Sequence, residues 1–350
     1  MAADHIMTFA RTLDGGGVER AQLRLAAAWV AAGRRVTLVV GDASGPLAAD
    51  LAPGIALIDL DTRAYRRLAA ALPRLVRAAR PDILFCAGNF YTSAAAWTRM
   101  VLGLASPPIV AKMSNAPDRG DHGAVLSIAH GLWLGQHGRF LDHLVALTPA
   151  TADTAARSLR MAGRTSVIPN PPHRADPDAR PVALPPGRVI LGVGRLVAQK
   201  RWDRLIDVLP ALPADVHLVI LGEGELRPEL IARAARRRVA GRVLLPGHVA
   251  DPLPTMARAR LVTLTSDFEG VPGVLREALS VGTPVVTTRS SESIAEIVDS
   301  PALGAIVDRD DPAALIGALT RWLDAPRPDP VPLPDTDAAA RYLALFDRLT

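Results

Sequence analysis

The chain has 350 residues, 49% of them apolar and 21% charged, which suits two globular domains with full cores and excludes a disordered or low-complexity protein. Its single cysteine, Cys86, inside the apolar run DILFCAG, cannot form an intramolecular disulfide, no apolar stretch reaches the ~18–20 residues of a membrane-spanning helix, and no signal segment opens the chain, so a cytoplasmic setting is expected. The net charge of +5 favours anionic partners such as nucleotide diphosphates or acidic lipid headgroups, while 4% aromatic residues leave no stacking platform for nucleic acid.

In chain order, the apolar runs HIMTFA, RVTLVVG, IALIDL, PDILFCAG, PIVAKM and LVALT read as strands separated by Ala- and Arg-rich helical segments. That alternation predicts an α/β domain with a parallel sheet covered on both faces. After the first strand, RTLDGGGVERAQ opens a helix with three glycines, where Gly16 and Gly17 are candidates for backbone amides that approach an anion. The pair Asp59 and Asp61 in IALIDLDTR has the D-x-D form of a metal site, but a metal-free reading is preferred.

The series stops in a proline-dense stretch, residues 169–187, read as a linker. A second series follows: RVILGVG, VHLVILG, RVLLPG, ARLVTLT, PVVTT and ALGAIVD. The predicted fold class is therefore two tandem doubly wound, Rossmann-like domains facing across a cleft, residues 1–168 and 188–325. Beyond a second proline-rich stretch, a final helix over 336–350 carries an apolar stripe at Tyr342, Leu343, Leu345, Phe346 and Leu349.

Two near-hits to the dinucleotide fingerprint, LGVGRLV and LGEGELRPEL, lack its third glycine; Val197 and Arg227 stand there, and Glu223 would oppose a pyrophosphate. A nicotinamide enzyme is thus disfavoured. Instead GVGRLVAQKRWDRLI sets Arg195 just after a strand and Lys200 five positions later, two cations suited to a diphosphate leaving group. Further on, TSDFEGVPGVLREALSVGTPVV places Glu269 in a loop and Glu277 in the following helix, eight positions apart. At ~1.5 Å rise per residue the second carboxylate is expected about 6 to 9 Å along the helix, so that the two could meet opposite ends of a nucleotide sugar. Free amides at that helix start favour an anion between them.

Together GGGVER, IPNP, VGRLVAQKRWDRLI, LGEGELRPEL, LPGHV and SDFEGVPGVLREALSVGTPVV resemble the retaining two-domain glycosyltransferases of family 4, also called group 1. The resemblance covers about residues 5–325 and is most specific in the second half. It implies a GT-B architecture, retention of configuration, no metal or other cofactor, and a nucleotide-diphosphate sugar as donor. Carried over by position, it implies that Arg195 and Lys200 hold the diphosphate, Glu269 the sugar hydroxyls and Glu277 the ribose. Its amide cluster falls on Gly270, Val271, Gly273 and Val274, with Pro272 unable to donate, and the base near Val249. Where many relatives carry a histidine after the fifth strand, this chain offers Ser114 and then Asn115 or His122 as acceptor-side candidates.

The resemblance also implies that the last helix returns to the first domain, and closure about the two crossings is expected to bring Gly16 and Gly17 to the diphosphate. Basic segments such as RAYRRLAAALPRLVRAAR fit either ordinary solvated charge or an anionic membrane face, the latter with a lipid-linked or envelope polysaccharide or lipopolysaccharide acceptor. A nucleotide-sugar epimerase of the same architecture and a non-catalytic nucleotide-sugar-binding subunit remain as alternatives.

Overall fold

The computed structural model describes residues 2–114, 124–172, 176–333 and 337–350. They form two compact units, Met1–Pro171 with Asp335–Thr350, and Pro172–Pro334.

The first unit runs β1 (His5–Thr12), α1 (Gly17–Ala31), β2 (Arg35–Asp42), β3 (Ile55–Asp59), α2 (Tyr65–Ala79), β4 (Ile83–Cys86), α3 (Thr92–Leu102), β5 (Ile109–Lys112), α4 (Ala124–Leu134), β6 (His143–Ala146), α5 (Pro149–Ser158) and β7 (Thr165–Val167). All strands pair in parallel, in the order β3-β2-β1-β4-β5-β6-β7. Because side chains alternate across a strand, both faces are apolar. Met7, Phe9, Leu84, Ile109 and Leu144 share one core with Leu68 and Leu72 of α2, whereas Ile6, Phe85, Val110 and Val145 share another with Leu25 and Trp29 of α1. The strand β7 has no counterpart among the predicted runs. Its Thr-Ser-Val sequence is half-exposed at the sheet edge, so no apolar run marks it.

The second unit runs β8 (Arg188–Val193), α6 (Trp202–Val208), β9 (Val216–Leu221), α7 (Arg227–Arg236), β10 (Val243–Gly247), α8 (Leu253–Arg258), β11 (Leu261–Leu264), α9 (Gly273–Ser280), β12 (Val285–Thr288), α10 (Ile294–Ile297), β13 (Gly304–Val307) and α11 (Pro312–Asp324). Its parallel order is β10-β9-β8-β11-β12-β13. In both sheets the order reverses beside the unit's first strand, between β1 and β4 and between β8 and β11. Loops leaving the carboxyl ends of those strands diverge there, and open α/β sheets bind ligands at such points.

The final helix, α12 (Ala338–Phe346), lies on the first unit. Tyr342 and Phe346 meet Trp29 at ring-centroid distances of 5.9 and 5.3 Å, and both also pack on Phe85. Asp347 then accepts from the backbone of Ala3 and pairs with Arg34. Described parts of both proline-rich stretches are bonded to the second unit. Val182 donates to Thr255 Oγ1, and Val182 and Leu184 sit on the second core. Arg327 likewise donates to the carbonyls of Ala259 and Gly282, so the second unit extends to Pro334 rather than ending at 325.

Candidate active site

Two loops meet at the switch point of the second sheet, those after β8 and β11. After β8 the chain passes Gly194 and Arg195 and makes a short turn, Ala198–Lys200, before α6. Trp202, the first residue of α6, is buried, and its indole N–H donates to the Arg195 carbonyl at 2.9 Å. A side chain at Gly192 would come within 2.7 Å of that indole; at Gly194, where φ is +153°, it would meet the Lys200 stem at 3.3 Å. The glycines of the GVG run therefore make room for Trp202 and Lys200.

The loop after β11 locks onto this turn. Gln199 Nε2 donates to the Phe268 carbonyl at 2.8 Å, the Asp267 amide donates to the Gln199 carbonyl, and Arg201 and Arg204 both pair with Asp267. Held in this way, Lys200 Nζ lies 2.6 Å from Glu269 Oε1, and Ser266 Oγ donates to the same oxygen at 2.6 Å. Glu269 is 7% exposed, and its Oε2 takes no donor among the described residues. Arg195 is exposed, with no side-chain partner among the described residues. Sequence reading assigned Lys200 and Glu269 separate tasks, whereas the fold joins them as an ion pair.

The next helix, α9, begins at Gly273, with Pro272 as its N-cap. Val271 and Val274 pack on the core, and the Gly270 carbonyl accepts from Ser293 Oγ. Gly273 has open space around it: an added Cβ would meet only Glu277 Oε1, at 4.0 Å. The Glu277 carboxylate thus folds back over the first turn, as helical side chains lean toward the N-terminus. This corrects the expectation of a carboxylate displaced along the axis. Val249, after β10, is half-buried against the same core.

At the first unit's switch point the glycine requirement sits at Gly15, whose φ is +109°. Gly17 has open space, and at Gly16 only the end of the flexible Glu19 side chain would be met. The backbone at Gly16 and Gly17 is thus not crowded by other backbone of the unit. Glu19 Oε1 accepts from Tyr91 Oη at 3.0 Å, and Tyr91 in turn accepts from the Arg11 amide. Burial and the neighbouring Glu19 carboxylate raise the Tyr91 hydroxyl well above its usual pKa. Ser114 donates from its backbone to Asn89 Oδ1, while Asn115 and His122 lie outside the described residues. Asp59 and Asp61 are exposed, and Asp59 Oδ1 accepts the Asp61 amide, a local turn. Cys86 is buried, its thiol pushed up to about 12 by burial, and is unreactive.

Three functional candidates escaped the sequence reading. Ser266 and Gln199 carry no signal beyond their neighbours. Lys112, 1% exposed at the end of β5, could have been noticed as a lysine in the apolar run PIVAKM.

Comparison with known proteins gives the family and a similar fold. The family model for glycosyltransferase family 4 matches residues 15–172, and that for glycosyl transferases group 1 matches 187–325. An N-acetylgalactosaminyltransferase acting on a diphospho-undecaprenol, from Campylobacter jejuni, is 34% identical over 39% of this chain and 38% of its own length. The lipopolysaccharide core biosynthesis glycosyltransferase LpsE of Rhizobium meliloti is 37% identical over 29% of this chain and 30% of its own. The chain thus matches only about a third of the length of these curated relatives. In fold it is similar to HepE from Anabaena, solved with UDP, with TM-score 0.71 and 19% identity over 98% of this chain and 95% of the other. With adjoining glycosyltransferase models on both halves, two parallel α/β sheets of matching topology and neighbours of the GT-B fold, the chain belongs to the group 1, family 4 glycosyltransferases.

Proposed function

We propose that this protein moves a sugar from a nucleoside-diphosphate sugar to a hydroxyl of a lipid-linked or envelope-glycan acceptor, with retention of configuration and without a metal. The observation that carries this reading is the Lys200–Glu269 pair at the switch point of the second sheet. Lys200 spends one of its three N–H donors on Glu269, leaving two for a phosphate. Arg195 adds an exposed, bidentate cation. Glu269 offers Oε2 to sugar hydroxyls, Glu277 reaches the ribose, the amides of Gly270, Val271, Gly273 and Val274 lie along the donor, and Val249 borders the base.

The acceptor oxygen attacks the anomeric carbon as the carbon–oxygen bond to phosphate breaks. The diphosphate leaves with the electron pair, and the acceptor proton passes to a phosphate oxygen on the same face, which preserves configuration. Stabilising the departing charge is the main catalytic contribution of Arg195 and Lys200. Asn115 or His122 is the acceptor-side candidate, and the amides of Gly16 and Gly17 are candidates for contact with the diphosphate.

The relatives' names support a lipid-linked or lipopolysaccharide acceptor, and UDP in the Anabaena structure supports a uridine donor. The surface of the first unit supports peripheral contact with the cytoplasmic face of an anionic membrane. Trp97, Met100, Val101 and Leu104 are all exposed at i, i+3, i+4 and i+7 spacing, and α2 beside α3 exposes Arg66, Arg67, Arg74 and Arg77.

The test is incubation with a panel of nucleotide sugars, with and without an undecaprenyl-linked acceptor, in the presence of EDTA, and NMR of the product anomer. Transfer with the donor's configuration supports the reading. A new nucleotide sugar formed without acceptor would indicate an epimerase, donor binding without turnover a non-catalytic subunit, and loss of turnover in EDTA a metal requirement.

A further inference from the structure

Lys112 and Lys200 are the only two lysines among the 40 lysine and arginine residues of the sequence. Arginine keeps its charge in proteins, whereas a buried lysine can lose it, so the choice of lysine is chemically distinct. Lys200 belongs to the site described above, but Lys112 has no part in it.

Lys112 ends β5 and is 1% exposed. By strand alternation it shares with Val110 the sheet face that α1 and α12 cover. Its Nζ donates to Asn170 Oδ1 at 3.1 Å, the one partner for its three N–H groups among the described residues. Asn170 belongs to the segment Ile168–Pro171, which continues from β7 and through which the chain leaves the first unit. The same place anchors the chain's return: Arg341 of α12 donates to the Val167 carbonyl at 2.6 Å.

We propose that Lys112 is a positioning residue, whose buried ammonium holds Asn170 and so fixes the segment by which the chain passes from the first unit to the second. An apolar side chain would fill this space with less desolvation, so stability alone does not explain an ammonium there. A charge-assisted bond to Asn170 is roughly twice as strong as a neutral one, so the hold depends on the proton.

Burial lowers the Lys112 pKa to about 8, opposed by the Glu19 carboxylate of α1. Tyr342 of α12, on the same sheet face, stays neutral because burial raises its hydroxyl. The sign separates positioning from a structural role. The unfolded lysine titrates near 10.4, so between pH 8 and about 10.4 the unfolded state binds more protons and folding stability from this group rises with pH. Turnover should fall over the same interval, as the ammonium that holds Asn170 is lost.

With only two lysines, lysine-specific 15N labelling yields two Nζ signals, assigned by their loss in Lys112→Arg and Lys200→Arg. We expect the Lys112 signal to titrate near 8 and the alkaline limb of kcat to share that midpoint. Asn170→Asp, which adds a carboxylate, should move both upward by the same amount. Lys112→Met should keep or raise the unfolding midpoint while lowering kcat at least tenfold. Should it fail to fold, Asn170→Ala carries the same expectation of lost turnover. Faster hydrogen exchange of the amides of residues 165–168 and 170 in either variant at pH 7 would accompany it. Wild-type kcat in Lys112→Met and Asn170→Ala, or an alkaline limb that stays in place when Asn170→Asp moves the NMR titration, would overturn the proposal. The kinetic arm rests on the transfer reading, whereas the NMR, exchange and unfolding arms do not, so the two failures are distinguishable.

Discussion

Lys200 Nζ and Glu269 Oε1 stand 2.6 Å apart, although 69 positions separate them in the chain. The pair ties the loop after β8 to the loop after β11, and with Ser266 it satisfies one oxygen of a buried carboxylate. Removing either partner therefore affects stability as well as chemistry.

Lys200→Ala should lower the folding free energy by about 1–3 kcal/mol, because it leaves Glu269 buried with Ser266 alone. Arg195→Ala should leave stability unchanged, since its guanidinium is exposed. Both should raise the barrier to transfer by roughly 2–4 kcal/mol. Urea unfolding and kcat/KM measured on the same preparations separate the two effects, and near-wild-type rates in both variants would remove these residues from the leaving-group role.

Truncating α12 contacts tests whether this helix is part of the first unit's core. Phe346→Ala or Tyr342→Ala should cost about 3–5 kcal/mol, as expected for large buried aromatics. Trp29 packs on both rings, so deleting residues 338–350 should shift tryptophan emission to longer wavelength. Unchanged emission would mean that the helix does not cover Trp29.

Acid should destabilise the first unit through two histidines. Burial lowers the pKa of His137 and of His5 below the ordinary 6.5. His137 Nδ1 lies 3.0 Å from the Leu134 carbonyl and Nε2 3.0 Å from Thr92 Oγ1, so the ring is held on both sides inside the unit. The unfolded state binds the proton first, so stability is full above about 6.5 and falls as pH drops from there toward the folded values. His137→Gln should flatten the slope of the unfolding midpoint between pH 7 and 5; an unaltered slope would exonerate His137.

Membrane contact predicts co-sedimentation with phosphatidylglycerol-containing vesicles at low salt, weakened by salt and by Met100→Glu with Leu104→Glu. Each basic residue at the surface should contribute about 1 kcal/mol, so Arg66→Ala with Arg67→Ala should weaken binding tenfold or more. No co-sedimentation at low salt would reduce the arginines of α2 to solvated charge.

Much of this fold was legible because parallel strands buried on both faces must be continuous apolar runs, and every run such as RVTLVVG or RVILGVG became a strand. The polar edge strand β7 lacked that mark. Arg195, Lys200 and Glu269 were legible as loop residues following strands, a placement that follows from local pattern. The burial of Lys112 was not, because a lysine in a strand is exposed or buried according to what covers it, and α1 and α12 come from opposite ends of the chain.

By itself the sequence determined the strands other than β7, where their loops begin, and which charged groups those loops carry, since these depend on neighbours a few residues away. Strand order was decided only in the tertiary structure. Putting β11 beside β8, with β9 and β10 on the other side, brings Glu269 onto Lys200, and the lean of helical side chains turns Glu277 back toward Gly273. Those contacts join non-consecutive elements, and their energy comes from packing and pairing across the sheet, which no local stretch of sequence contains.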